Sequence, residues 1–305
     1  MNVVFLDAAT LPAALSFTNP AIAYTAWPST APADVIARIR DATVVITNKV
    51  RLGAEELRAA KQLRLVAVAA AGTDNIDHDT AAQLGVRIAN VPDYGSDSVA
   101  EHVIATLFAL RRNVATYATA AVDGRWSAST HFCWNGPRIR DVGGSVFGVV
   151  GRGRIGEAAA RLARGLGMEV FFAQTPGTAC RDDELPLNEL IERADALTLH
   201  VPLTPATRGL IGTDALARMK RDAVVINTGR GALVDSSALV TALREGAIAG
   251  AAIDVLDVEP PPADHPLLAR DIPNLLLTPH VAWASEHAQA RLARKLEQLV
   301  EHPLA

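Results

Sequence analysis

The chain has 305 residues, half of them apolar and a fifth charged, with a formal net charge of −4. That is length enough for two ordinary domains and a composition that is globular rather than disordered. The mildly acidic balance has no long run of one sign, which argues against a nucleic-acid footprint or an anionic membrane partner.

Two cysteines, Cys133 and Cys180, lie far apart in sequence. A disulfide framework is therefore not expected, and a reducing cytoplasm suits the chain. The opening MNVVFLDAATLPAAL lacks the basic start and long apolar core of a signal peptide, and Asp7 interrupts it early. No apolar run reaches the ~18–20 residues of a membrane span. His131 and Cys133 form an isolated HxC without further ligands nearby, so no metal is expected.

In chain order, NVVFLD, ATVVITN, LRLVAVAAAG and VRIANVP predict short buried strands, and PADVIARIRDA and AAQLG predict helices between them. Such alternation implies a parallel sheet covered on both faces, through about residue 95. The next stretch predicts a helix over 98–118, with Ser98 and Glu101 as a capping box. Beyond Gly124 periodicity is lost to about Gly144, and Trp126 and Trp134 are assigned to packing. The alternation then resumes with six strands: VFGVVG, EVFFAQ, ALTLHVP, AVVINTG, AIAGAAIDV and NLLLTPH. Helices are expected near 154–167, 187–194, 213–220 and 235–246, and a last one over 284–301 is long enough to return to the first domain. The fold class is α/β with two doubly wound parallel-sheet domains, residues 98–284 being inserted between 1–97 and 285–305.

Gly151, Gly153 and Gly156 form GxGxxG directly after an apolar strand and at the opening of a helix. In that context the first glycine allows the tight turn, the second lets backbone approach a pyrophosphate, and the third lets helix pack on strand. The N–H groups at Arg154 and Ile155 then face the phosphates of NAD or NADP. Gln174 follows Gly156 by 18 residues, where a ribose-binding carboxylate is expected. Gln can hydrogen-bond a ribose hydroxyl but carries no charge, so the usual barrier to NADP is missing. No Arg directly follows to attract NADP, although Thr175 could donate to a phosphate and Arg181 could reach one. The cofactor preference stays open.

Three further stretches place reactive groups at strand ends: VVINTGRGALVD with Arg230, AIDVLDVEPPP with Asp254 and Glu259, and LLLTPHVAW with His280. Ligands of open α/β sheets bind beyond the carboxyl ends of the strands, so all three should face that edge.

INTGRG, DVLDVEP and TPH, in that order after GRGRIG, resemble the D-2-hydroxyacid dehydrogenases, and the resemblance covers nearly the whole chain. AAAGTDNID at 69–77 is similar to the family's substrate loop, and SVAEH at 98–102 to the start of its interdomain helix. ITNKV at 46–50, NVPDYGSDSVAEH at 90–102 and TPHVAWAS at 278–285 are most similar to its glycerate dehydrogenase (hydroxypyruvate reductase) group. The resemblance implies a Rossmann cofactor domain inserted in a flavodoxin-like substrate domain, a homodimer, and NAD(P)-dependent reduction of hydroxypyruvate or glyoxylate to the D-2-hydroxy acid. It implies that Arg230 grips carboxylate and keto oxygen, that His280 gives the proton, and that Glu259 orients His280. Backbone N–H groups of Ala71 and Gly72 would hold the substrate carboxylate. Asp254 would lie near the nicotinamide carboxamide, with Thr228, Val201, Pro202 and Thr207 lining the cofactor. The planar fork of Arg and the near-neutral titration of His suit those tasks chemically. Phosphoglycerate or D-lactate dehydrogenase, or a non-enzymatic NAD(H)-sensing protein on the same scaffold, are the alternatives. A sensor would tolerate loss of a catalytic residue, and none is lost here.

Overall fold

Runs of Val, Ile, Leu and Ala buried on both faces draw the chain into two all-parallel sheets. The computed structural model describes residues 1–175 and 177–302. The chain divides into two units, Met1–Gly95 with Ala284–Ala305, and Ser96–Trp283.

The first unit alternates β1 (Asn2–Phe5), β2 (Ala23–Ala26), α1 (Val35–Ile39), β3 (Val44–Thr47), α2 (Ala54–Ala59), β4 (Leu65–Val68), α3 (His78–Gln83) and β5 (Arg87–Asn90). Its strand order is β2-β1-β3-β4-β5, the flavodoxin-like order. β3 and β4 are buried at every position, and so carry no polar alternation. β2, AYTA, is an edge strand with three of its four residues exposed, and the sequence reading passed over it for that reason. Beyond β1, the buried Asp7 carboxylate accepts the N–H groups of Asn48, Lys49 and Val50 at 2.9, 2.6 and 3.2 Å. That contact ties down the loop after β3.

The second unit opens with α4 (Ser96–Arg112) and α5 (Val114–Val122), followed by β6 (Val146–Val150), α6 (Arg154–Gly165), β7 (Glu169–Ala173), β8 (Glu184–Leu185) and α7 (Leu187–Arg193). It continues through β9 (Ala196–Leu199), α8 (Thr213–Arg218), β10 (Val224–Asn227), α9 (Ser236–Arg244), β11 (Gly250–Ile253) and β12 (Leu275–Leu277). The order β12-β11-β10-β9-β6-β7-β8 is the Rossmann order with a seventh strand. That is one strand more than the six expected, because β8 is only two residues long. β6 pairs with both β7 and β9, so the crossover direction reverses beside it. Ala158, Ala159, Ala160 and Ala163 of α6 are buried with Val103, Leu107 and Leu110 of α4 around Phe147 and Phe172. Four alanines on one helix leave no bulk to hold it away from strand and neighbour.

The helix expected over 98–118 is two helices. Asn113 adopts a left-handed conformation, φ 51°, and its side chain donates to the Arg138 carbonyl at 2.8 Å. Apolar spacing continues across the break, so the pattern does not reveal it. The capping box at Ser98 and Glu101 does not form either. The helix already begins at Ser96, and the Ser98 hydroxyl donates to the Ala282 carbonyl at 2.7 Å. Trp134 packs edge-on against Tyr117 as expected, whereas Trp126 is 51% exposed.

α10 (Glu286–Glu301) completes the first unit. The Ser285 hydroxyl caps it, and Ala288, Leu292, Leu296 and Val300 form its buried stripe at four-residue spacing. From its outer side Glu297 accepts the Ser16 N–H at 2.7 Å and Glu301 the Thr18 N–H at 2.6 Å.

At the end of β9, His200 is only partly exposed, and its Nε2 lies 3.0 Å from the hydroxyl of the fully buried Thr198. Burial pushes its pKa from 6.5 down to about 4. The unfolded chain therefore takes up a proton at this ring, as pH falls below ~6.5, that the folded protein refuses until about 4. Stability from this residue is complete above that window and is lost through it. An NMR titration should place the midpoint of the His200 ring near pH 4; a midpoint above 6 would contradict the burial account.

Candidate active site

Parallel strands bring every loop that follows a strand to one edge of the sheet. In the second unit that edge carries the glycine turn after β6, the HVP loop after β9, Arg230 after β10, Asp254 and Glu259 after β11, and His280 after β12.

The glycine turn is dictated sterically. Gly151 has φ 110°, and a Cβ there would lie 2.6 Å from the His200 carbonyl oxygen. A Cβ on Gly156 would lie 2.1 Å from the Gly151 oxygen. Gly153 differs: it caps α6 in extended conformation, and a Cβ on it would meet nothing within 4 Å. No side chain caps the first turn, where Arg154 and Ile155 begin the helix. A helix N-terminus facing open space across a bare glycine fits a dinucleotide pyrophosphate. The Thr228 hydroxyl at the same sheet edge is buried and has no hydrogen-bond partner among the described residues, which also fits a cofactor contact.

The other expected cofactor positions are more committed. Thr207 donates its hydroxyl to the Pro202 carbonyl at 2.7 Å, closing the loop that begins at Val201. Gln174 ends β7 in register, its N–H donating to Leu185 O at 2.8 Å. Its side-chain amide turns to the Thr178 carbonyl at 2.8 Å, while Thr175 is exposed. Arg181 stays beside Glu184, 3.8 Å away.

Asp254 is 3% exposed. Its carboxylate accepts the N–H groups of Val281 and Ala282, both at 2.9 Å, and the Thr278 hydroxyl at 2.6 Å. Its carbonyl accepts the His280 N–H at 2.8 Å. These bonds hold His280 in a left-handed conformation, φ 55°, which costs a residue with a side chain about 1–3 kcal/mol. The ring then meets Glu259, with Nδ1 to Oε2 at 2.6 Å, while the other Glu259 oxygen accepts the Leu256 N–H at 2.8 Å. An ionised carboxylate only accepts, so Nδ1 carries the hydrogen and Nε2 is left to exchange a proton. Both side chains are about a third exposed, at 28% and 32%.

Arg230 leads into a short turn at Gly231–Leu233, and Nη1 bonds the Gly229 carbonyl at 3.0 Å. Asn227, fully buried, secures this turn: its amide donates to Arg230 O at 2.9 Å and accepts the Gly229 N–H at 3.1 Å. Gly231 presses the Arg230 turn onto the Glu259 loop, since a Cβ there would lie 1.9 Å from the Leu256 carbonyl carbon. The Arg230, Glu259 and His280 segments are thus brought together by Gly231 and Asp254. Ala71 and Gly72 belong to the first unit, in the loop after β4, where Ala71 O accepts the Asn90 amide at 2.5 Å.

The sequence reading missed Asn227, Gly231 and the Thr278 hydroxyl. It also missed Arg152, whose signal was a cation in the spacer of the first GxG. Among the described residues no cluster of His, Cys, Asp and Glu could hold a metal ion, and no helix is long and apolar enough to cross a membrane.

Comparison with known proteins finds relatives over nearly the whole chain. The NAD binding domain of the D-isomer specific 2-hydroxyacid dehydrogenases matches residues 104–282. A glycerate dehydrogenase of Methylorubrum extorquens is 41% identical over 98% of this chain and 95% of its own. Among solved structures, a Thermus thermophilus protein is 35% identical with TM-score 0.83, covering 100% of this chain and 96% of its own. An NADPH-dependent glyoxylate/hydroxypyruvate reductase of Sinorhizobium meliloti, in complex with NADP and malonate, is 29% identical with TM-score 0.81, covering 99% and 92%. The chain belongs to the D-2-hydroxyacid dehydrogenase family.

Gly231→Ala should force the Arg230 and Glu259 loops apart. Overpacking of this kind costs about 1–3 kcal/mol. Thermal unfolding should drop by several degrees while circular dichroism keeps the native pattern, and an unchanged Tm would show that the contact is not tight.

Proposed function

We propose that this protein reduces a small 2-oxo acid, hydroxypyruvate or glyoxylate, to the D-2-hydroxy acid at the expense of NADH or NADPH. The observation that carries the reading is the 2.6 Å Glu259–His280 pair standing at the same sheet edge as the glycine turn. The relatives named above, a glycerate dehydrogenase and a glyoxylate/hydroxypyruvate reductase, support the substrate class.

A nicotinamide cofactor, when bound, would supply the hydride for C2 of the substrate. The protein's own residues do the rest. Gly153 and the first turn of α6 would hold the pyrophosphate, and Thr228 would offer its buried hydroxyl to the cofactor. Arg230 grips the substrate carboxylate and polarises the keto oxygen with its planar fork. His280 delivers a proton from Nε2 to that oxygen as it becomes a hydroxyl, and Glu259 holds the ring in the required tautomer. Ala71 and Gly72, in the loop after β4 of the first unit, are the backbone N–H groups we assign to substrate binding. The two free cysteines, Cys133 and Cys180, suit a reducing cytoplasm.

The second unit also exposes Phe108, Val114, Val122, Trp126, Phe132 and Ile139 on α4, α5 and the segment that follows. A second copy of the chain is the occupant we assign to this apolar face. Light scattering should give a dimer, and Val122→Asp with Phe132→Asp should give a monomer; a wild-type monomer contradicts the assignment.

The enzymatic reading is tested by kcat/KM for hydroxypyruvate and glyoxylate with NADH and with NADPH. Turnover with either cofactor is expected. His280→Ala should lower it by roughly 10²–10⁴ while cofactor still binds, because a positioned acid is lost. Wild-type turnover in that variant would sink the role of His280.

A further inference from the structure

Gln174 is uncharged, so something else must set the electrostatics beside the adenosine ribose. Arg152 occupies the spacer between Gly151 and Gly153. Its guanidinium lies 4.3 Å from the Phe172 ring centroid, and Phe172 precedes Gln174 by two residues on the same strand run. The two terminal nitrogens form a fork on the Asp183 carboxylate at 2.7 and 3.0 Å, and Nε bonds Glu157 at 2.8 Å. Asp183 is fixed in turn, since its carbonyl accepts the Phe172 N–H at 2.8 Å. Arg164 reaches the same carboxylate at 3.1 Å, and the buried Glu184 lies 3.5 Å from Arg152. The fork thus ties the glycine turn to the segment entering β8, the strand paired with the end of β7, on the side of a doubly wound fold that holds the ribose.

We propose that the Arg152–Asp183 ion pair, rather than Gln174, sets the choice between NADH and NADPH. The proposal rests on the dinucleotide reading of the glycine turn given above. A ribose 2′-phosphate presents oxygens to a guanidinium fork much as a carboxylate does, so it competes with Asp183 for Arg152. With the fork closed, the charge of Arg152 is spent internally. The three arginines and three carboxylates of the cluster balance, so the closed fork offers a phosphate no net attraction and leaves a 2′-hydroxyl unaffected. Removing either partner should therefore move the preference in opposite directions.

The test is calorimetric binding of NADH and NADPH to the whole protein without substrate. Wild type should bind NADH and NADPH with similar affinity. Asp183→Asn frees the fork, and the NADPH-to-NADH affinity ratio should rise on the order of tenfold, the worth of one charged hydrogen bond. Arg152→Gln leaves its carboxylates uncompensated, and the ratio should fall by a similar factor. Arg152→Lys, which keeps the charge without the fork, should lie between that variant and wild type, and it serves if Arg152→Gln does not fold. NADH affinity itself reports whether each variant keeps its site. Ratios that stay put, or that move the same way in both partners' variants, overturn the proposal, since general loosening would have that effect. A wild-type protein that binds neither cofactor overturns the dinucleotide reading itself.

Discussion

One buried carboxylate governs the chemistry at this sheet edge. Asp254 gathers two consecutive backbone N–H groups and a hydroxyl, and its own carbonyl takes a third N–H from His280. Bonds from neutral donors to an ionised acceptor are about twice as strong as neutral ones, and three of them together with the backbone bond outweigh the cost of a left-handed histidine. The turn that results points the imidazole at Glu259 and leaves one ring nitrogen outward. The Trp283 indole N–H closes the same turn from below, on the His280 carbonyl at 3.0 Å. Orientation is thus built into the backbone before the side-chain pair forms, so Glu259 has only to fix the proton's position.

Tight glycine contacts carry that order across the edge. Gly151 lies against His200, Gly156 against Gly151, and Gly231 against Leu256, each at a separation that a methyl group would not fit. Successive loops are therefore locked to their neighbours by backbone contact rather than by long side chains. A site made this way is rigid at the glycine turn and where the Arg230 turn meets the Glu259 loop. Gly153, with open space before it, is where the chain leaves room for a ligand.

The parts of this arrangement legible in the sequence were those with a local signature. Buried parallel strands are short apolar runs, and the glycine turn has fixed spacing. Arg230, Glu259 and His280 each follow a strand, and topology alone sends them to one edge. Elements without such a signature were missed. β2 is an exposed edge, β8 has two residues, and the break at Asn113 interrupts no apolar pattern. Arg152 meets Asp183 across 31 residues of chain, a partnership that no local window contains. Asp254 was placed correctly at a strand end, but its work on the following turn depends on which donors fold back to meet it.

The first unit is split in sequence, and its last helix carries the two carboxylates that hold the segment near Ser16 and Thr18. On a ribosome the five strands of that unit emerge first and must wait for α10, while the whole inserted unit is made in between. The stripe that α10 buries and its hold on the loop near Ser16 and Thr18 arrive only after the insert has been made. The nucleotide-binding unit is contiguous, so it has every contact it needs before its host does. Folding order during translation therefore runs from the insert outward, and a chain stalled before α10 would present a finished insert on an unfinished host.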